Sequence, residues 1–416
     1  MPGGGLVKEA AQNRRKKRDP RPWRIKSTGQ SPPVDEAKTM FANAIGKPVR
    51  TRTHAGRSAR AWTAGLALLL CAACAKKTEA PAAGATPAPG RSAAASGPRE
   101  EAVRFTNGDV TLAGTLVLPE GADASRKMPA VVLFHGSGPQ ERDLFTARWF
   151  AGEGIAALAY DKRGVGESTG NFKKVPFMEL CGDGLAGIEY LKKTRAEVDP
   201  KRIGVWGLSQ GGWLGPLAAS KSADVAWVIA VSGPGVSPGE QMIFYYAEEL
   251  RAEGVKEKDV EEASALRRKV WTYAETGIGY ASAKAAIEAA RMKPWYRAAK
   301  AQKDDLFGPL LTPEEQGKPG AVGFRWFREE AIYDPAPALR TLGVPALFLF
   351  GDEDRLVPVD VSVNVIRKVQ EEDRKKDFTI RVFRGADHGM YSSASGGLHP
   401  EYLKTMHEWL AEHIKK

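Results

Sequence analysis

Ten residues, Ile203-Gly204-Val205-Trp206-Gly207-Leu208-Ser209-Gln210-Gly211-Gly212, constrain this chain more than any other stretch. The first residues are mostly apolar and read as a short buried strand. Gly207-Leu208-Ser209-Gln210-Gly211 then fits Gly-x-Ser-x-Gly, and Trp213–Ala219 continues in helix-compatible residues. A strand that turns sharply into a helix forces the central serine into a strained backbone conformation. Glycines two before and two after it remove the side chains that would collide there. The serine then stands at the carboxyl end of the strand, beside the amino end of a helix, where partial positive charge favours an oxyanion. Gly/Ser patterns of this length also arise as ordinary turns, so a nucleophilic role for Ser209 depends on partners elsewhere in the chain.

The order of the surrounding elements supplies the context. Val103–Thr106 and Val110–Leu118 flank Asn107-Gly108, a pair suited to a hairpin turn. Pro129–His135 is a near-continuous apolar run, as in a strand buried on both faces of a parallel sheet. Phe145–Glu153 reads as a helix, Ile155–Tyr160 as a strand followed by the loop Asp161–Ser168, and Phe177–Thr194 as a long amphipathic helix. Helix Gly212–Ser220 and strand Val225–Val231 follow the serine. The alternation then stops, and residues 236–335 are rich in Glu, Lys, Ala and aromatics without a clear strand. It resumes with strand Val344–Phe350, a helix around Val361–Glu371, strand Phe378–Phe383 and a closing helix Glu401–Ile414. Alternation on both sides of a helical block implies an α/β architecture. It is one mostly parallel, doubly wound sheet with an N-terminal hairpin and a helical lid inserted at 236–335, all within 99–416.

The net charge of +11 sits entirely upstream of this unit. Residues 1–60 hold 15 Lys/Arg against 4 Asp/Glu, and the remaining residues balance at 46 of each. A nucleic-acid enzyme would place its basic excess on the folded domain, so a nucleic-acid partner is not expected. Residues 1–39 read as a disordered tail, or as sequence upstream of a start at Met40, in preference to a nucleic-acid arm. Residues 40–74 have the form of a secretory signal, with Arg50, Arg52, Arg57 and Arg60 before the apolar run Ala61–Leu70. That run is too short for a permanent span of about 20 residues. Cys71-Ala72-Ala73-Cys74 then resembles a bacterial lipobox with Cys74 as the lipidated residue, though Cys71 replaces the usual Leu. A plain cleaved signal is the other reading. Either one exports the protein, and the first anchors it to a membrane in the cell envelope. Residues 75–98, rich in Ala, Pro, Gly and Ser, form a flexible tether.

A serine hydroxyl is a weak nucleophile that needs a base, oriented in turn by an acid. Gly351-Asp352-Glu353-Asp354 follows strand Val344–Phe350, and Asp387-His388-Gly389 follows strand Phe378–Phe383. In a parallel sheet both loops open on the edge that carries Ser209. His388 is the base by position and by elimination. His135 precedes a glycine loop, His54 lies in the leader, and His399, His407 and His413 lie in or beside the last helix. Cys181 is the lone cysteine of the folded part, so neither a disulfide framework nor a cysteine metal site is available there.

Together, His135-Gly136-Ser137-Gly138, Asp161–Ser168, the turn at Ser209, Gly351-x-x-Asp354 and Asp387-His388 resemble the α/β-hydrolase superfamily. Within it they are similar to bacterial serine carboxylesterases near the prolyl-oligopeptidase and dienelactone-hydrolase groups. The resemblance implies the α/β-hydrolase fold and a triad of Ser209, His388 and an acid three residues after the strand-end glycine. That position selects Asp354 over Asp352 and the more distant Asp360. It implies an oxyanion hole from the backbone N–H groups of Gln210 and Ser137, ester hydrolysis through an acyl-enzyme, and no cofactor or metal. A peptidase, an acyltransferase and a non-catalytic binding lipoprotein on the same scaffold are the competing readings.

Overall fold

A computed structural model of the protein describes residues 97–172, 175–301 and 330–415. The extension 1–39, the leader 40–74 with Cys74, the tether up to residue 96 and lid residues 302–329 lie outside the described residues.

An eight-stranded sheet organises the chain. Its strands are β1 (Arg99–Asn107), β2 (Val110–Leu118), β3 (Met128–Phe134), β4 (Ala156–Tyr160), β5 (Val198–Leu208), β6 (Val228–Val231), β7 (Ala346–Gly351) and β8 (Phe378–Phe383). Their spatial order is β1-β2-β4-β3-β5-β6-β7-β8. β1 and β2 pair antiparallel, as do β2 and β4, and the six strands from β4 across to β8 are parallel. The chain winds one way from β3 to β4, then returns past β3 and winds the other way from β5 to β8. The ends of β3 and β5 therefore flank a topological switch point, where open α/β sheets place their ligands.

The apolar runs are continuous because the sheet is covered on both faces. Along β3, Ala130, Val132 and Phe134 join one core cluster while Val131 and Leu133 join the other. The first face packs under α2 (Phe177–Thr194), α3 (Gln210–Lys221) and α9 (Val359–Glu372). The second packs under α1 (Leu144–Gly152) and α10 (Pro400–His413). Alternate residues thus meet different helices, which is what a period-two strand buried on both sides requires. Each large apolar side chain buried this way contributes about 1.5–3 kcal/mol.

The hairpin forms one residue later than expected. Asn107 pairs with Val110, so Gly108 and Asp109 make the loop, and only Gly108 has positive φ. Asn107 stays in the strand and its Nδ2 donates to Asp183 Oδ1 of α2 at 2.9 Å, a contact that sequence spacing does not reveal.

The lid is helical in its described part, with α4 (Pro238–Ala252), α5 (Glu257–Thr276), α6 (Tyr280–Ala290), α7 (Pro294–Ala301) and, after it, α8 (Ala336–Thr341). α4 opens on Ser237-Pro238-Gly239-Glu240, where Ser237 Oγ accepts from Glu240 N, and α5 stops at Gly277 in the left-handed region. Leu250, Val260, Leu266, Tyr273, Ile287 and Trp295 form a core of the lid's own. Tyr273 and Trp295 are therefore packing residues of the lid. Among the described residues no helix is long and apolar enough to cross a membrane.

Candidate active site

Ser209 occupies the turn between β5 and α3 with φ 58° and ψ −113°, one of three non-glycine residues at positive φ among those described. A helix-capping serine ordinarily spends its hydroxyl on a backbone N–H of the first turn. Here the strained backbone carries the side chain away, and Ser209 makes no capping hydrogen bond. The flanking glycines allow the sharp turn. A Cβ on Gly207 would strike the Gly211 carbonyl, and one on Gly211 would lie 2.8 Å from Phe134 O at the end of β3. The start of α3 is thereby pressed against the loop that follows β3.

Asp354 and His388 come from the ends of β7 and β8. Asp354 is buried, and its Oδ2 lies 2.8 Å from His388 Nδ1. Its Oδ1 accepts from Leu356 N at 2.7 Å and Val357 N at 2.9 Å, so both oxygens are held. Burial pulls the His388 pKa down, but the charge and hydrogen bond of Asp354, helped by the charge of Asp387, outweigh it and leave the pKa raised. The ring nitrogen facing the carboxylate carries the proton, which leaves Nε2 free to act as a base.

The other two aspartates hold backbone. Asp352 Oδ1 accepts from Gly385 N at 2.6 Å, tying the β7 loop to the β8 loop. Asp387 Oδ1 accepts from Gly389 N and Tyr391 N and so shapes the turn that carries the imidazole. Asp360 sits exposed in the first turn of α9.

Ser232 has a part that the sequence did not reveal. It is fully buried with φ 47°, its N–H donates to Leu349 O at 2.7 Å, and its Oγ donates to His388 O at 2.8 Å. Because Ser209 N donates to Val231 O, the neighbouring residue, the Ser209 turn and the His388 loop are linked through the end of β6.

At the switch point, Gly136 N donates to Gln140 Oε1 at 2.7 Å, which makes Ser137 the next donor along that loop. Gln210 opens α3 beside it. His135 is not a base for this serine. Its Nε2 meets Tyr160 O at 2.5 Å, and burial, reinforced by the charge of Lys162, pushes its pKa down to about 3. Burial also pushes the Cys181 thiol up to about 12, away from nucleophilic use. Among the described residues no group of three His, Cys, Asp or Glu could hold a metal ion.

The lid is pinned to this edge at both ends. Trp213 Nε1 donates to Val236 O at 3.0 Å, Arg355 to Glu248 O at 2.8 Å, and Gln210 Nε2 to Glu330 Oε1 at 3.2 Å.

A strained serine, an Asp–His pair on the same sheet edge and a doubly wound sheet define an α/β hydrolase. The profile of the alpha/beta hydrolase family matches residues 131–399, and the chain belongs to that family. Esterase EstD of Thermotoga maritima is 26% identical over 318 residues, which is 73% of this chain and 64% of that protein. The quorum-quenching protein AidA of Acinetobacter baumannii is 26% identical over 262 residues, covering 62% of this chain and 79% of that protein. Prolyl endopeptidase FAP of Bos taurus is 27% identical over 174 residues, covering 39% of this chain and 22% of that protein. The chain thus spans less than two thirds of the esterase and under a quarter of the endopeptidase.

Proposed function

We propose that the protein is a serine hydrolase that cleaves carboxylic esters through an acyl-enzyme. The observation that carries this reading is the 2.8 Å contact between Asp354 and His388, on the sheet edge where Ser209 stands in its strained turn. His388 Nε2 takes the Ser209 proton as Oγ attacks the ester carbonyl, and the N–H groups of Gln210 and Ser137 receive the oxyanion. The imidazolium then protonates the departing alkoxide. A water, deprotonated by the same nitrogen, releases the acid and restores the serine. Asp354 holds the tautomer throughout.

The esterase relative favours ester over amide, while the endopeptidase similarity makes peptide amides the second class to test. The full chain is incubated with a fluorophosphonate, and the labelled peptide is identified by mass spectrometry. Labelling confined to Ser209, with turnover of acyl esters exceeding that of peptide amides, is the expected result. A folded protein that is not labelled removes the reading, and faster amide cleavage replaces esterase by peptidase.

We also propose that the enzyme is exported and held at a membrane by a lipid on Cys74. Cys74→Ala is expected to move the protein from the detergent phase to the aqueous phase. Unchanged partition would rule out the anchor.

A further inference from the structure

The loop Asp161–Ser168 has no role in the scheme above, yet it is fixed from several sides. Asp161 Oδ1 accepts from Arg142 N at 3.0 Å and Nε at 2.9 Å, and its Oδ2 accepts from Glu167 N at 3.0 Å. Ser168 Oγ donates to Asp161 O at 2.7 Å and accepts from Ala113 N at 2.9 Å. Arg163 forks onto Asp183 with two bonds of 2.7 Å. Between these anchors lies Lys162, a charged side chain only 3% exposed.

The Lys162 Nζ donates to Gly136 O at 2.8 Å and to Gln210 Oε1 at 2.7 Å. These acceptors belong to a meaningful pair. Gly136 O is the carbonyl of the peptide unit whose N–H is that of Ser137. In a trans peptide the carbonyl and the following N–H point in opposite directions, so fixing the oxygen fixes where the N–H aims. An ammonium on that oxygen also draws electron density toward it and makes the N–H a stronger donor. The second acceptor is the side chain of Gln210, whose own N–H is the other oxyanion donor. Gln210 is gripped again from the lid by Glu330.

We infer that Lys162 is a positioning residue of the oxyanion hole, clamping and polarising the Ser137 peptide and locking Gln210 beside it. This rests on the serine-hydrolase reading of the site. The charges around it are Glu330 from the segment before α8, Asp183 of α2, and Asp161 and Arg163 of its own loop, with neutral His135 at the end of β3. Burial pulls the ammonium down to about 8, against the opposing charges of Glu330 and Asp183. The clamp is therefore charged below that pH and loses its charge above it, so the rate falls on the alkaline side.

The test is steady-state hydrolysis of p-nitrophenyl butyrate by the full chain and by Lys162→Met, from pH 6 to 10. Loss of one oxyanion donor costs on the order of 10²–10³ in kcat. We expect Lys162→Met to lose about 10²-fold in kcat, in that range, with KM little changed. The wild-type alkaline limb near pH 8 should be absent from the variant. Lys162→Gln, which keeps a neutral donor, should be intermediate and free of that limb. Lys162→Met with wild-type kcat, or with a change confined to KM, overturns the inference. If the wild type neither turns over ester nor labels at Ser209, it is the serine-hydrolase reading that fails. An active wild type with an indifferent Lys162 removes only the clamp.

Discussion

Ser209→Ala is expected to abolish ester turnover, with kcat falling by on the order of 10⁴-fold or more, while the thermal midpoint hardly moves. The two halves have separate physical causes. The hydroxyl makes no capping bond, so its removal costs the fold no hydrogen bond. The β-carbon remains, so the strain of φ 58° remains with it, and stability should stay within about 0.5 kcal/mol of wild type. Ser209→Gly separates strain from chemistry. It is equally inactive but relieves a left-handed backbone, which for a non-glycine residue costs about 1–2 kcal/mol, and should melt higher. Calorimetry beside an ester assay checks both. Turnover near wild type in Ser209→Ala would mean that another group attacks the substrate. A large loss of melting temperature would mean that the hydroxyl supports the fold.

Much of the frame was legible because it obeys short-range rules. The strands Val110–Leu118 and Phe378–Phe383 and the helix Phe177–Thr194 have the bounds expected of them, while the strand before Ser209 begins five residues earlier, at Val198 rather than Ile203. Pro129–His135 reads as buried on both faces, and in the strand Met128–Phe134 alternate side chains do meet different helices. The pairing of Asp354 with His388 was legible because each follows a strand that ends on the Ser209 edge. What escaped depends on contacts between distant residues. Asn107 looked like a turn residue, yet Asp183, 76 positions away, holds it in the strand. Ser232 comes just after the expected strand Val225–Val231, where the alternation stops, and its bond to His388 spans 156 positions. Lys162 meets Gln210 across 48 positions and Gln210 meets Glu330 across 120, so no local pattern could have assembled them. A clue was present all the same. A lysine flanked by two residues of a charged, glycine-punctuated loop beside a buried strand needs an acceptor, and the glycine loop after β3 ends on the same edge.

Asp354→Asn should cost about 10⁴-fold in kcat, and the hydrogen bonds say why. Oδ1 receives Leu356 N and Val357 N, two donors that an amide nitrogen cannot satisfy. The asparagine must therefore turn its oxygen toward the backbone and its NH₂ toward His388 Nδ1. A donor there requires Nδ1 to be unprotonated, which puts the ring proton on Nε2 and leaves it unable to take one from Ser209. The fold should lose about 1–2 kcal/mol, since charge-assisted bonds become neutral ones while the donors stay occupied. The pH profile gives an independent reading. In the wild type the rate falls on acidification as His388 gains a proton, and the raised pKa places that fall above the usual histidine value of 6.5. With the carboxylate gone, burial is left to dominate, so the residual activity should keep its rate to lower pH. Asp352→Asn is the control, because the Asp352 carboxylate is exposed and accepts from the Gly385 backbone instead of from His388. It should leave kcat and the acid limb in place. If instead Asp352→Asn silences the enzyme and Asp354→Asn does not, the acid of the triad has been assigned to the wrong carboxylate.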